Sequence, residues 1–493
     1  MASALASQLQ QLREAGAGSK RRTDTFLYDQ REAARLDDET VYNLAWNGLL
    51  ELKQLDARFE ELDADAGVAK LFSRQRIHFH RAQSSKQDES ELNAALNKVL
   101  DALSAYFLLG AAHKVLEFLI RRYEVHRYNV DAVMAMIVAY HESSWFVRMV
   151  RILHIHNTRW EFMLGVKTQG TPLLRAALVQ RAIDESSVIE FVFKSATRIG
   201  VTNPKLTSLY TLVVLQILEQ GKVTEKMLRW LIPQLLAALK STNFPELQSS
   251  AYMIVTKLAS KATLTGKVVD ALVKSLVKHA QAGAQMNALL CVIFLAQTQP
   301  SFRLSSSAGK HLVHMENASD FLRDATSNYE SAKFVQLLMV FLTQHMKSID
   351  DDYFRLLTTL IESVSLVDGF TNELVEVMVG QAREQAFAME SVQVQAISHA
   401  LVALSKKNAS KVDAVVGTLL SNQTKKSKGD KKLNRFLTKT FENVANSAHF
   451  VPSNTDANTS VSLVDGFTNE LVEVMVGQAR EQAFAMESVQ WMP

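Results

Sequence analysis

The adjacent residues His141 and Glu142 are of types that invite a catalytic interpretation. A metalloprotease helix carries His-Glu and a second histidine four residues after the first, so that both imidazoles hold zinc on one face. Trp145 occupies the position of that second histidine. Because a zinc ligand is missing, we predict no catalytic residue at this pair.

Two further histidine pairs, His78/His80 and His154/His156, are spaced two residues apart, which on a helix directs the rings to different faces. No carboxylate or thiolate cluster completes a metal site, so we interpret these histidines as helix-end or interface residues. The phosphate loop GxxxxGK[ST], the nucleophile elbow GxSxG and the dinucleotide motif GxGxxG are also missing from the sequence. We predict a protein that is not an enzyme and holds neither a metal nor a cofactor.

The single cysteine, Cys291, lies in the apolar run LLCVIFLA. One cysteine excludes a disulfide framework within the chain and a cysteine-clustered zinc site. An apolar setting favours a buried, inert thiol over a nucleophile.

Six basic residues form the candidate interaction surface of this chain. They fall in two groups on neighbouring predicted helices: Arg121, Arg122, His126, Arg127, Arg148 and Arg151. Stacked hairpins would bring the two groups into one patch that holds phosphate or an acidic loop of a partner. The alternative is that these arginines pair with nearby acidic residues and only join neighbouring repeats; the candidates are Glu117, Glu124 and Glu142. Trp145 and Trp160 lie among apolar residues, which favours a core position over base stacking.

The composition indicates which kind of fold positions these residues. The chain has 493 residues but only 7 prolines and 18 glycines, too few for the frequent turns of a sheet-rich protein. The net charge of +3 is small, so any contact with nucleic acid must be local. No apolar run is long enough to span a membrane and no signal-peptide core begins the sequence. We expect a soluble, intracellular, all-α protein.

The stretch 106–155 shows the helical pattern most clearly. Apolar residues recur there at spacings of three and four, and are predicted to be buried: Val115, Leu116, Leu119, Tyr123, Phe146, Met149, Val150 and Leu153. Polar residues of the first of these helices are expected on its solvent face: Lys114, Glu117, Arg121 and Glu124. A hairpin of such helices has an apolar face that only neighbouring hairpins can cover.

Helix-start signals recur with a fixed period in the middle of the chain. Thr224 and Thr265 each suit the cap of a first helix, and Pro204 and Pro245 each suit the first turn of a second helix. Both pairs are 41 residues apart. This period is typical of HEAT and armadillo arrays, and it predicts a further helix start at Met286. The fold class predicted is a HEAT-like α-solenoid of stacked helical hairpins.

The end of the chain contains an exact internal copy, since residues 363–393 recur letter for letter from residue 460. Ancient structural repeats keep a pattern and lose identity, so this copy indicates a recent duplication or a mis-assembled gene model. The predicted organisation is an N-terminal arm, a HEAT-like solenoid, further helical repeats, a basic polar linker and the aberrant copy: 1–87, 88–300, 301–420, 421–459 and 460–493. Lys20, Arg21 and Arg22 in the arm are a weak signal for a nuclear address, and a solvated linker is the favoured interpretation.

One resemblance to a known family accompanies these patterns. The strings LEFLIRRYEVHRYNVD (from Leu116), AYHES (from Ala139) and FVRMV (from Phe146) resemble the N-terminal region of a large nucleolar HEAT-repeat protein. That family is the U3 small nucleolar RNA-associated protein ten family of the small-subunit processome, in its t-Utp (UtpA) subcomplex. The resemblance extends over roughly residues 1–300. Since members of the family continue far beyond this length, the ending VQWMP is consistent with a truncated or aberrant chain.

The resemblance implies a function that periodicity does not. It implies a nucleolar scaffold that supports early processing of the small-subunit ribosomal RNA precursor and transcription by RNA polymerase I. The implied partners are the U3 small nucleolar ribonucleoprotein and t-Utp subunits, including β-propeller proteins, with pre-ribosomal RNA itself as a further ligand. The alternative is a karyopherin-like transport adaptor, which shares the HEAT pattern. Such receptors are usually acidic where they meet basic cargo, and a sequence pI of about 8.7 disfavours that class.

Overall fold

The computed structural model describes residues 24–79, 81, 86–221, 223–364, 368–385, 392–421 and 439. In this part of the chain every regular element is a helix, which confirms the predicted all-α class. The α-helices, numbered α1 to α23, are Gln30–Ala33, Asp38–Leu55, Arg58–Ala64, Ala66–Leu71, Lys86–Leu103, Gly110–Tyr123, Val125–Tyr128, Val130–Ile137, Ser144–Ile152, Leu164–Gln169, Arg175–Asp184, Ser187–Ile199, Pro204–Gln220, Glu225–Leu239, Pro245–Lys261, Gly266–His279, Gln285–Thr298, Ser306–Val313, Ala318–Asn328, Ala332–His345, Asp352–Ser363, Asp368–Gln385 and Val392–Ser421.

The chain divides into two compact units, residues 1–217 and residues 218–493. In the first unit α2 packs along α6, α4 packs against α5, and α5 packs against α8. The apolar stripes predicted for α6 and α9 are confirmed, because all eight of their residues are completely buried. Trp160 is also buried in this unit, where its indole Nε1 donates to Asp131 Oδ1 at 2.7 Å. Short 3₁₀ turns complete the unit: Arg74–Arg76, Ser104–Tyr106, Val138–Tyr140 and Glu161–Met163.

The second unit is a regular succession of hairpins. From α14 to α21 each helix packs against the next helix but one, and α14, α16 and α20 also pack against the next helix, as in α14 with α15 and α16 and in α20 with α21 and α22. This neighbour pattern is that of stacked helical hairpins, and it supports the HEAT-like repeat fold. The predicted helix starts are confirmed at Thr224, which caps α14 through a bond from the Met227 N–H, and at Pro245, the first residue of α15. Pro204 begins α13, and the start predicted at Met286 falls one residue late, since α17 begins at Gln285.

Two buried glutamines join consecutive hairpins of the second unit. Gln248 on α15 donates its side-chain amide to the carbonyls of Leu239 and His279, at 2.9 and 2.7 Å, and so links the ends of α14 and α16. Gln299, directly after α17, donates to the carbonyls of Ala259 and Ala262 at the end of α15. Carbonyls at helix ends lack helical partners, so these amides satisfy groups that burial would otherwise penalise.

Several predicted features lie outside the described residues: the basic tripeptide of the arm, almost all of the polar linker, and the second copy that begins at residue 460. The predicted domain boundaries therefore stay predictions. Within the described part, no helix combines the length and apolar character that crossing a membrane requires.

Candidate functional site

The predicted basic groups of the first unit surround residues 24–29, a non-helical segment that precedes α1 and is here called the N-terminal segment. The carboxylate of Glu117 on α6 binds this segment. It accepts the Thr25 hydroxyl at 2.8 Å and the backbone N–H groups of Phe26 and Leu27 at 2.7 and 3.0 Å. Glu117 has no exposed surface, so its expected place on the solvent face of α6 is wrong. The N-terminal segment covers that face.

Arg121 and Arg148 bind the same segment through its carbonyl groups and through Glu117. Arg121 Nε donates to Glu117 Oε1 at 2.6 Å, and its Nη1 donates to the carbonyl of Ala33, the last residue of α1, at 3.2 Å. Arg148 on α9 donates from Nη2 to the carbonyl of Leu27 at 2.6 Å. Both guanidinium groups therefore serve the chain's own backbone.

Phe26 is the apolar anchor of the N-terminal segment. Its side chain is completely buried against Trp145, with ring centroids 5.5 Å apart, and against His113, with centroids 5.2 Å apart. Trp145 is half-buried beneath the segment, which agrees with the predicted packing role. Burial lowers the pKa of His113 to about 4, although the ring bonds the carbonyl of Phe107 at 2.6 Å.

Arg122, His126 and Arg127 are held by other acidic and backbone groups. The buried Arg122 lies 2.7 Å from Asp38 Oδ2 and donates to the carbonyl of Phe79 at 3.1 Å. Asp24 Oδ2, in the N-terminal segment, lies 3.0 Å from His126 Nε2 and 3.0 Å from Arg127 Nη2. These three side chains face in two directions, since Arg122 reaches α2 and the other two reach Asp24.

Glu124 produces this divergence. It ends α6 in the left-handed conformation, with φ of 47°, and the chain turns there into the short helix α7 that carries His126 and Arg127. Its carboxylate also pairs with Arg127 at 3.2 Å. A left-handed glutamate is uncommon, and the sequence contains no glycine that would have marked the turn.

Arg151 is the most available of the six predicted residues. Its side chain is exposed, and no hydrogen bond or ion pair is recorded for it in the described part of the chain. Its guanidinium lies against Gly170, where a Cβ would stand 1.9 Å from Nη2. Arg127, at 44% exposure of its side chain, is the other predicted residue that solvent reaches.

His141 is a structural residue rather than the start of a protease motif. Its buried ring donates from Nδ1 to the carbonyl of Leu173 at 2.7 Å, whereas Glu142 is exposed and lies 3.9 Å from Arg175. Cys291 is likewise buried, and burial raises the pKa of its thiol far above the ordinary range.

Sequence reasoning missed a second group of basic residues, in the second unit. Three first helices in succession, α14, α16 and α18, carry exposed or half-exposed basic side chains in or directly after their last turn: Lys240, Lys278, His279, Lys310 and His311. We call these five residues the basic row. Burial, and then the charges of Lys278, Lys240 and His311, lower the pKa of His279, so these groups lie near one another. No ion pair with a described carboxylate is recorded for any of them.

The sequence contains a signal for the basic row. Lysine followed by histidine recurs near the ends of two predicted first helices, at Lys278 and Lys310. Cations there also complement the helix dipole, which is the simpler reason to find them. The sequence does not show that the amide of Gln248 bonds the ends of both α14 and α16 and so brings Lys240 near His279.

Comparisons with known proteins agree with the repeat architecture. The family model described as U3 small nucleolar RNA-associated protein 10 matches residues 227–342, which contain the basic row. HEAT repeat-containing protein 1 homolog from Dictyostelium discoideum is 32% identical over 70% of this chain and 15% of its own length. Human HEAT repeat-containing protein 1 is 27% identical over 76% of this chain and 18% of its own length. U3 small nucleolar RNA-associated protein 10 from Pyricularia oryzae is 26% identical, with coverages of 71% and 21%.

These matches confirm the resemblance found in the sequence. They also show its extent, because this chain spans only 15% to 21% of the length of these three relatives.

Proposed function

We propose that this chain, a relative of the U3 small nucleolar RNA-associated protein 10 family, is a helical-repeat scaffold of the small-subunit processome. Its role would be to hold other components of a U3 ribonucleoprotein assembly in fixed positions during early processing of the small-subunit ribosomal RNA precursor. In this proposal the chain neither makes nor breaks a covalent bond. Stacked hairpins suit the task because each repeat adds surface without requiring a closed pocket.

The observation that carries the proposal is the basic row, which lies inside the segment that the family model matches. Three lysines and two histidines on consecutive repeats, without an ion pair to a carboxylate in the described part of the chain, would form a surface suited to phosphate. Lysine contacts to phosphate fix the position of a protein on a nucleic acid rather than reading its bases. The proposed ligand of the row is therefore the phosphate backbone of RNA.

The predicted surface of the first unit is proposed in a narrower form. Arg127 and Arg151 are its exposed members, and they are the residues we expect a partner to contact. Arg121, Arg122, His126 and Arg148 would act indirectly, because they hold the N-terminal segment and α2 in place.

The resemblance extends the proposal to place and partners. We propose the nucleolus as the site of action, with the β-propeller subunits of the t-Utp complex as protein partners. A contribution to transcription by RNA polymerase I follows from the same family. Relatives named U3 small nucleolar RNA-associated protein 10 support the nucleolus and a U3-related assembly. The t-Utp partners and the part in transcription are proposed from the family resemblance of the sequence alone.

Affinity purification of the tagged chain, followed by sequencing of the bound RNA, tests this function. The expected result is enrichment of U3 small nucleolar RNA and of the small-subunit ribosomal RNA precursor over total RNA. A variant that reverses charge in the basic row (K240E/K278E/K310E) should lose most of the enrichment. A matched variant, K70E/K86E/K194E, reverses three exposed lysines of the first unit and should retain it. Absence of enrichment, together with release of bound protein by the GTP form of Ran, would instead identify the karyopherin-like alternative.

A further inference from the structure

Asp24, His126 and His154 bring one carboxylate and two imidazoles together, although they are far apart in the sequence. Each offers one ligand atom, and the three atoms all lie within 4.8 Å of one another. The three residues come from separate elements: the N-terminal segment, α7, and the loop after α9. We call them the Asp24 cluster. Its assembly depends on the fold, because neither histidine pair of the sequence analysis predicts it.

The two inner ligands already stand at a coordination distance from each other. His126 Nε2 is 3.0 Å from Asp24 Oδ2. In a tetrahedral zinc site with bonds of about 2.0–2.1 Å, two ligand atoms are about 3.3 Å apart. Metal binding would therefore need only a small opening of this pair.

The third ligand, His154, is free to move toward Asp24 and His126. His154 is exposed, and its ring lies edge-on to that of His126 with centroids 5.8 Å apart. Its position is fixed through the backbone, since the His154 N–H donates to the His126 carbonyl at 3.0 Å. Rotation of an exposed side chain is fast and costs little, so the ring is able to move toward the pair.

His126 has a feature that a simple hydrogen bond with Asp24 does not explain. The side chain is only 2% exposed, yet its Nδ1 has no hydrogen-bond partner in the described part of the chain. Zinc would bind Nε2, the nitrogen that faces Asp24, and Nδ1 would then be the outer N–H that a metal-bound imidazole donates to a water or a neighbouring group.

Two cations lie beside the cluster and oppose a metal ion. Arg127 Nη2 donates to Asp24 Oδ2 at 3.0 Å, and the charge of Lys167 acts on His154. Arg127 also binds Glu124 at 3.2 Å, so it keeps a carboxylate partner when it releases Asp24. Lys167 is committed to the carbonyl of Leu153 at 2.6 Å.

We propose that the Asp24 cluster binds one zinc ion, with Asp24, His126 and His154 as ligands and water in the fourth position. Two imidazoles and one carboxylate are a zinc donor set, whereas magnesium and calcium prefer oxygen ligands throughout. The ion would fasten the N-terminal segment to α7 and to the loop after α9. This inference is independent of the RNA scaffold function, because the cluster contains none of the basic row.

Titration of the metal-free full chain with cobalt(II) and with zinc tests the site. We expect one equivalent of cobalt to give a ligand-field absorption spectrum that zinc abolishes. His154→Gln should weaken binding by at least about tenfold, while His156→Gln, an exposed histidine two residues away, should bind as the wild type does. Arg127→Gln should tighten binding, because it removes the competing guanidinium from Asp24.

A second readout separates a metal site from a general loss of structure. Zinc should slow hydrogen exchange of residues 24–29 in the wild type and in His156→Gln, but not in His154→Gln. His154 is exposed, so its replacement leaves the core intact, which circular dichroism verifies. The proposal is overturned if cobalt gives no ligand-field spectrum, or if His154→Gln and His156→Gln bind the metal equally.

Discussion

The carboxylate of Glu117 accepts the backbone N–H of Phe26 at 2.7 Å, across 91 residues of sequence, at a point where Glu117 has no exposed surface. The same carboxylate accepts from Thr25, Leu27 and Arg121. A buried charge is tolerated only when such donors replace water. These four bonds therefore fix the position of the Glu117 side chain and the conformation of the N-terminal segment together.

Replacing Glu117 by glutamine tests this arrangement. The substitution removes the charge that Arg121 pairs with and puts an amide donor opposite backbone donors, so we expect a loss of about 3–5 kcal/mol in the free energy of unfolding of the first unit. Hydrogen exchange of residues 24–29 should accelerate as well. Glu142→Gln is the matched control, since Glu142 is exposed, and should change stability by no more than about 0.5 kcal/mol. Equal urea midpoints for the two variants would contradict the role given to Glu117.

The limits of sequence reasoning are visible on this one helix. Spacing alone identified Val115, Leu116 and Leu119 as buried, because the apolar stripe of α6 has the helical period. Spacing placed Glu117 in solvent because it reports which face is polar, not what covers that face. The N-terminal segment covers it, and contacts between residues 91 positions apart leave no periodic signal.

Local chemistry predicted helix starts well and hairpin contacts poorly. Thr224 and Pro245 mark helix starts through their own capping and ring geometry, so the sequence contains all that is needed. Gln248 gives no local signal at all, since an amide that bonds two helix-end carbonyls looks like any other polar residue.

His113 should make the first unit sensitive to acid. Its pKa is lowered from 6.5 to about 4, so the unfolded chain binds a proton between these values and the folded chain does not. The contribution of His113 to the free energy of unfolding is therefore fully present above pH 6.5. It falls as the pH drops toward 4, by about 2 kcal/mol between pH 7 and pH 5. Urea unfolding at several pH values measures this slope. His113→Gln should flatten the slope, and an unchanged slope would show that His113 is not its source.

Asp101 should produce a pH dependence of the opposite sign. Burial raises its pKa to about 6, while Arg198, with Nη2 3.1 Å from Oδ1, opposes that effect. The folded state then holds a proton that the unfolded state releases, so stability is lost as the pH rises from 4 through 6. We expect the free energy of unfolding of Asp101→Asn to exceed that of the wild type by on the order of 1 kcal/mol at pH 8, and by much less at pH 5. A constant difference between the two proteins at both pH values would refute the assignment.

Gln248 should carry much of the connection between α14 and α16. Methionine has a similar shape but no donor, so Gln248→Met leaves the buried carbonyls of Leu239 and His279 without this amide. Each buried acceptor left unpaired costs about 1–3 kcal/mol, and we expect the second unit to lose at least the lower sum, about 2 kcal/mol. Gln220→Met, at an exposed position, is the control and should be nearly neutral. Thermal unfolding of both variants makes the comparison, and a neutral Gln248→Met would remove the hairpin-joining role.

The basic row offers the most direct test of RNA binding, through its dependence on salt. Each phosphate contact to single-stranded RNA releases counterions and contributes about 0.7 to the slope of log affinity against log salt. Loss of three contacts in K240E/K278E/K310E should therefore lower the magnitude of the slope by about 2, and should weaken binding similarly for unrelated RNA sequences. Fluorescence anisotropy with labelled single-stranded RNA at several salt concentrations measures both quantities. The charge-matched variant K70E/K86E/K194E changes the net charge by the same amount, so it separates local contact from overall attraction. If both variants lower the slope equally, RNA senses only the net charge of the chain, and the basic row is not its binding surface.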